Sequence, residues 1–572
     1  MMSLTSKRAF GLAAIAACVL AIPRNATAQT PCQNPGGPDV IVGDITGPAN
    51  YNSSGGLEAL ALGTYSCNVG NVWLNWFAST NQHPVIGSEL YRYKIVDGAG
   101  RFEQVGLSWL KHGFFALSNN LCCSGCQGTD GTHLGVRCAD PYTASRNGEP
   151  SGLGPRFQVN ASTGFFNYPP HHTPSGTNVG RIQVDVNDLQ ATASSTTRYF
   201  GNSQYVAPDD SASAKQNNNC SYREISVSGS GTAWNFGFIG TTQREKPALM
   251  AWQVCDPGVT LNNVTIPSDG LVMLGYKATL LTSGLTRYEY AVYNMNSDRS
   301  VRSFSIPIPA GLSVSNVEFH DVTYRGNDGM NGNQNFSGTD WNFVNTGSAL
   351  EWSTSTFAQD TNANAIRWGT TYNFRFDANA VPTPGTISLG TFKVAGTVTT
   401  TGDVPGGPGA PGIAFCAGDG SLVTWCPCNN FGALGNGCEN SQNISGANLS
   451  SAGSVSPDTV VLTATGELPT SLTIFLQGTA MNAAGIVYGD GLRCATGVLK
   501  RLYTKTASGG NVSAPTGGDP SITARSAALG YPNPPGTTRY YMTFYRDGNP
   551  TFCPEGAGGS SFNSTNGQII TW

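Results

Sequence analysis

The densest set of metal-capable side chains in this chain is Cys122-Cys123-Ser124-Gly125-Cys126, followed by Cys138 and flanked by His112 and His133. A C-x2-C pair with a nearby Cys and His could complete a zinc tetrahedron. No second close pair follows, and the step from Cys126 to Cys138 fits no common zinc ribbon. Disulfide bonding is the plainer reading, with the adjacent Cys122 and Cys123 held by different partners. Of 15 cysteines, all but Cys18 lie beyond the N-terminal leader. Cys32, Cys67, Cys122, Cys123, Cys126, Cys138, Cys220 and Cys255 precede a Gly/Pro-rich joint, and Cys416, Cys426, Cys428, Cys438, Cys494 and Cys553 follow it. Two even sets predict two separately oxidised modules and about seven disulfides, with the connectivity open.

Other chemistries have weaker footing. Metal-assisted hydrolysis would need two or three of His83, His112 and His133 to converge, and the chain has no H-E-x-x-H or H-x-H spacing. The His171-His172 pair sits among prolines and reads as an exposed loop. The run from Asn327 to Asn335 offers oxygen ligands, and Asp328, Asn331 and Asn333 are its candidates for Ca²⁺. It holds one carboxylate and no D-x-D-x-D-G pattern, so a solvated loop explains it as well. Glycoside hydrolysis requires two facing carboxylates. Glu224, Glu245, Asp209, Asp210, Asp321 and Asp377 are available, and nothing local pairs them. No G-x-S-x-G elbow occurs. The aromatics are the remaining lead. Trp341, Trp352, Trp368 and Tyr324 are candidates to stack on sugar rings while Asn and Asp bind hydroxyls. Core packing is the bland alternative for each.

The elements that must position these groups read as strands. Alternation recurs at Arg181–Asn187, Tyr288–Tyr293 and Tyr372–Phe376. Val460–Thr465 and Ser471–Leu476 look like buried or half-buried strands, and turn residues recur every ~8–12 positions, as in sandwiches and barrels. Long helical periodicity is absent. At 572 residues the chain exceeds one core. The expected division is a signal peptide over 1–28, a Cys-rich β domain over 29–265, a sandwich without Cys over 266–398, a Gly/Pro/Thr linker over 399–412, and a Cys-rich β module over 413–572. Lys7 and Arg8, the apolar run to Ile22 and Ala26-Thr27-Ala28 carry the leader assignment. A lipid on Cys18 is its rival. Charged residues make up 12%, net charge is −4, and no Lys/Arg run occurs, which argues against nucleic acid.

Phe415-Cys416-Ala-Gly-Asp-Gly420, Cys426-Pro-Cys428, Tyr488-Gly-Asp-Gly-Leu-Arg-Cys494, Phe552-Cys553, Asn563-Ser-Thr-Asn-Gly567 and Thr571-Trp572 mark the last module. This pattern resembles a C-terminal Cys-rich module of large secreted, modular bacterial proteins. Phe319-His320-Asp321 and Arg367–Asp377 are similar to a β domain of the same proteins. The resemblance implies a secreted, accessory character and supplies no catalytic residues.

The expectation is an all-β, multi-domain protein of β-sandwich modules with disulfide-stapled loops, secreted or on the cell surface. It would bind an extracellular or cell-envelope polymer, with polysaccharide the leading class, and without catalysis. A secreted hydrolase with its site in 29–265 is the alternative, and a structural matrix protein the second.

Overall fold

The computed structural model describes residues 32, 34–113, 115–170, 178–310, 312–330, 334–408, 411–549, 551–553 and 561–572. The leader with Cys18, the His171-His172 pair, Asn331 and Asn333 lie outside these residues. Strand accounts for 48% and helix for 6%, so the all-β, multi-domain expectation holds.

The first domain is built on an antiparallel sheet of 11 strands, with a two-stranded ladder of Leu74–Asn75 and His133–Leu134 beside it. Its main path runs Val40–Asn50, Leu57–Asn68, Ile182–Asp185, Ala99–Leu107, Val85–Val96, Arg198–Val206, Cys220–Ser230, Ala233–Gln243. The sheet rolls until its first strand meets its last ones. Ser221 Oγ donates to Val42 O (2.7 Å) and Arg223 Nη1 to Ile45 O (2.8 Å). Alternate residues such as Leu60, Leu62, Ile225 and Val227 fill the roll, as period-2 patterning requires. Cys32–Cys123, Cys67–Cys122 and Cys126–Cys138 staple the loops at one end.

The second domain packs two five-stranded antiparallel sheets face to face. One is Thr260–Thr265, Leu271–Leu280, Thr286–Asn294, Thr370–Ala378, Val314–His320; the other is Asn342–Asn345, Ala349–Ser353, Val301–Pro307, Ala380–Thr391, Thr397–Pro408. Thr260–Thr265 pairs with Leu271–Leu280, so the sandwich begins ahead of residue 266. The stretch read as a linker, 399–412, is mostly the edge strand Thr397–Pro408, paired with Ala380–Thr391. Proline is tolerated there because an edge strand need not donate on its outer side. Trp341 and Trp352 lie in the sandwich core against Phe374. They fill the core and present no face to a sugar.

Strands Thr286–Asn294 and Thr370–Ala378 are buried throughout. Tyr288, Tyr290 and Val292 point into the sandwich. Ala291 and Tyr293 point the other way, into a core shared with Tyr91, Phe102, Phe200 and Trp252 of the first domain. The two domains are therefore fused through a common layer. Charged residues on that outer face are buried with them. Arg287 forks onto Asp377 (2.7 and 2.8 Å), Arg375 pairs with Glu289, and Arg101 lies 3.2 Å from Glu318. Each cation has a counterion, as burial demands.

Glu103 belongs to the same layer. It is fully buried between Arg92 (2.8 Å), Lys94 (2.8 Å) and His320 (3.7 Å). Burial alone would raise its carboxyl, but the charges of His320, Arg92 and Lys94 outweigh that and hold it at about 2, against an ordinary 4.5. A carboxyl held down in the folded state stabilises it above the unfolded value, and that contribution fades as pH falls from 4.5 towards 2. Urea titrations across that window are expected to lose up to about 3 kcal/mol, and Glu103→Gln to flatten the slope. An unchanged slope in Glu103→Gln would remove this carboxylate as the cause.

The third module, 411–572, combines a six-stranded sheet, a three-stranded sheet and the hairpin Ala480–Tyr488/Gly491–Thr496. Its main core runs from Leu449 to Trp572. Cys416–Cys494, Cys426–Cys438 and Cys428–Cys553 close it. Among the described residues disulfides thus number six, and Cys220 and Cys255 are free thiols, contrary to the expectation from parity. Cys220 Sγ faces Asn202 Oδ1 (3.1 Å) and Tyr293 OH (3.7 Å) inside the shared core. Cys255 closes a short helix beside Arg198 Nη1 (3.2 Å). Burial pushes the two thiols up to about 12 and about 11, so neither is a ready thiolate.

Six disulfides mark a chain that folds in an oxidising compartment. Among the described residues, no helix is long and apolar enough to cross a membrane.

Candidate functional site

Where the rolled sheet meets the sandwich, a shallow cleft opens to solvent. One wall comes from the first domain: Leu107, Ser108 and Trp109 at the end of a strand, and Arg156, Phe157 and Val159 around a 3-10 turn. The other comes from the sandwich: Tyr324, Asp328 and Phe336 on one loop, Arg367, Trp368 and Thr370 at a strand entry, the buried Ser300, and the half-buried Asp298 and Lys393. Apolar walls with a few convergent polar groups are the usual composition of a ligand pocket.

Gly369 sets the strand entry. Its φ is +77°, and a Cβ there would stand 2.1 Å from Arg156 Nη1. Only glycine combines that backbone with so close an approach. The Gly369 N–H donates to Asn294 O (2.7 Å), and its carbonyl accepts from Gln104 Nε2 (3.1 Å). Trp368 is thereby turned towards the first domain, where its indole N–H donates to Arg156 O (3.2 Å) and Val159 O (3.1 Å). The Arg156 guanidinium lies 4.9 Å from the Trp368 ring and 2.6 Å from Glu89. The site cannot form without both domains.

The polar groups differ in how they are held. Lys393 Nζ lies 2.7 Å from Asp298. Asp328 is buried and receives the Phe336 N–H (3.4 Å). Burial pushes its carboxyl up to about 7. Tyr324 OH meets Tyr372 OH (3.2 Å). Arg367 Nη2 donates to Thr361 O (2.9 Å) and Ala363 O (3.1 Å), with its guanidinium 3.7 Å from the Phe336 ring. A second, more polar cleft shares Leu107 and continues along the seam between Gln183, Asp185 and Asp188 on one side and Thr323 and Arg325 on the other.

The structure therefore brings Trp368, Tyr324 and Asp328 of the sequence candidates to one cleft. It does not bring the histidines there together. His83 and His112 touch, Nε2 to Nδ1 at 2.9 Å, in a buried pair behind the cleft. His83 Nδ1 also lies 3.1 Å from Phe77 O, so it carries the proton and His83 Nε2 accepts from His112. Burial holds His112 down at about 3, so the pair stays neutral. His133 sits apart, its ring 5.6 Å from Trp73 and 4.9 Å from Phe77, at a stapled tip where Trp73 and Phe115 are exposed. Among the described residues no three His, Cys, Asp or Glu converge as a metal set. Arg156, Phe157 and Lys393 carried no sequence signal for a site, Trp109 had only its residue type as one of ten scattered tryptophans, and Arg367 stood out only as the start of the stretch that resembles a β domain of secreted proteins.

No family model and no curated protein matches the chain. Among solved structures it is similar to a serine-rich repeat adhesion glycoprotein from Streptococcus agalactiae, at 11% identity over 61% of this chain and 89% of that one, with a TM-score of 0.16, a likeness too weak to argue from.

Proposed function

We propose that this is a secreted or cell-surface binding protein that holds an extracellular polysaccharide, one sugar unit of which enters the seam cleft. The observation that carries the reading is a cleft where the half-buried Phe157 and a handful of polar side chains lie against the largely buried rings of Trp109, Tyr324 and Trp368. Apolar edges next to hydrogen-bonding groups suit a pyranose ring, which has an apolar face and a polar rim. The sparse surface charge and the disulfide framework suit an exposed, protease-rich setting. The polar cleft beyond Leu107 gives a neighbouring unit of the same chain somewhere to lie.

Co-sedimentation of the oxidised protein with insoluble polysaccharides and cell walls tests this, with the supernatant assayed for released fragments. Retention without release is expected. Phe157→Ala with Lys393→Ala, both at half-buried positions of the cleft, is expected to cut retention about tenfold, the worth of one lost packing contact and one polar contact. No retention by any polymer would sink the proposal. Release would favour hydrolysis instead, because Asp298 and Asp328 face the same cleft and differ in burial. Asp328→Asn would then have to abolish release.

A further inference from the structure

Six arginines are buried in the described residues: Arg92, Arg101, Arg156, Arg287, Arg367 and Arg375. Five of them have a carboxylate within ion-pair distance, namely Glu103, Glu289 or Glu318, Glu89, Asp377 and Glu289 in that order. Arg367 is the exception. Only 6% exposed, it makes no ion pair among the described residues and lines the seam cleft. Its Nη2 is spent on two backbone carbonyls, and its Nε is buried without a hydrogen-bond partner. The guanidinium is otherwise surrounded by ring faces, Phe336 at 3.7 Å and Phe392 at 5.1 Å. In the same cleft Arg156 gives Nη2 to Glu89, while its Nη1 is also buried without a partner.

Burying a cation without a counterion costs several kcal/mol, and this molecule avoids that cost at every other buried arginine. The remaining cation of the cleft, Lys393, is matched by Asp298. Asp328, the other acid facing the cleft, makes no ion pair with Arg367 among the described residues, and its burial pushes its carboxyl up to about 7. Arg367 is thus the one buried arginine without an ion pair among the described residues, and it faces the cleft. We infer that the sugar unit the cleft takes bears a carboxylate, as uronic acids do, and that Arg367, with Arg156 beside it, receives that carboxylate. Guanidinium and carboxylate are matched planar groups, and a charge-assisted bond in a site shielded from water is worth more than a neutral one. This rests on the reading of the cleft as a saccharide site.

The test uses the full-length oxidised protein, with intrinsic tryptophan fluorescence or calorimetry as readout. The probes are trigalacturonate, its methyl ester and cellotriose. The acid is expected to bind about tenfold or more tightly than its ester, with the gap closing as salt rises. Arg367→Gln is expected to bind acid and ester alike. Equal binding of acid and ester by the unaltered protein would overturn the inference even if the variant failed to fold, and so would a folded Arg367→Gln that kept the preference. Binding of cellotriose but not of the acid would overturn the charge assignment alone. Failure of all three, together with no retention on any polysaccharide, would remove the saccharide reading as well.

Discussion

Arg375→Ala is expected to destabilise the fused first and second domains by about 3–5 kcal/mol. Arg375 is fully buried where the rolled sheet meets the sandwich. It pairs with Glu289, reaches Glu318 at 3.2 Å, and donates from Nη2 to Val96 O at 3.0 Å. Its removal leaves Glu289 buried with Arg101, at 3.6 Å, as its nearest remaining cation in the layer. It also takes from Val96 O one of its two guanidinium donors, the other being Arg287 Nη1 at 3.0 Å. Denaturant unfolding followed by near-UV circular dichroism measures the loss. The double variant Arg375→Met with Glu289→Leu is expected to recover a good part of it, because an apolar pair of similar volume leaves no orphaned charge. A loss below about 1 kcal/mol for the single variant would mean that water enters the layer and that the two domains are not fused as described.

Cys428→Ser with Cys553→Ser is expected to cost the third module about 5 kcal/mol, and Cys426→Ser with Cys438→Ser about 3. The two bonds share a neighbourhood but close very different loops, with sequence separations of 125 and 12. In the chain-entropy account the unfolded chain gains more freedom when the longer loop opens. Scanning calorimetry of both pairs against the parent gives the ranking. The opposite order would show that packing around Cys426 and Cys438, next to Leu492, dominates over loop length.

The strands were legible because each carries its pattern locally. Tyr288–Tyr293 alternates and forms part of Thr286–Asn294. What alternation could not reveal is that the intervening residues, Glu289, Ala291 and Tyr293, are buried too, under a second domain. The Thr397–Pro408 strand was read as a linker because proline and glycine suit both a spacer and an edge strand. The deciding fact, Val398 opposite Leu389 and Val404 opposite Thr383, lies in the pairing partner. Parity misled for Cys220 and Cys255, since an even count is equally produced by two unpaired thiols. The cleft was half visible. Trp368, Tyr324 and Asp328 were singled out for their types, but Trp109 and Arg156 reach them across some two hundred positions of chain, through contacts such as Trp368 to Val159 (3.1 Å, 209 residues apart). Trp341 and Trp352 have the same residue type and lie in the core, so type alone could not separate a lining tryptophan from a packing one.

The most direct test of the seam cleft as the binding site is hydrogen exchange on the full-length protein, with and without a soluble fragment of whichever polysaccharide retains it. The account expects added protection in peptides covering 105–109, 156–159, 322–328 and 367–370, and little change elsewhere. Protection confined to the exposed aromatics of the stapled tip, Trp73 and Phe115, or of the third module, Trp425, with none along the seam, would contradict it.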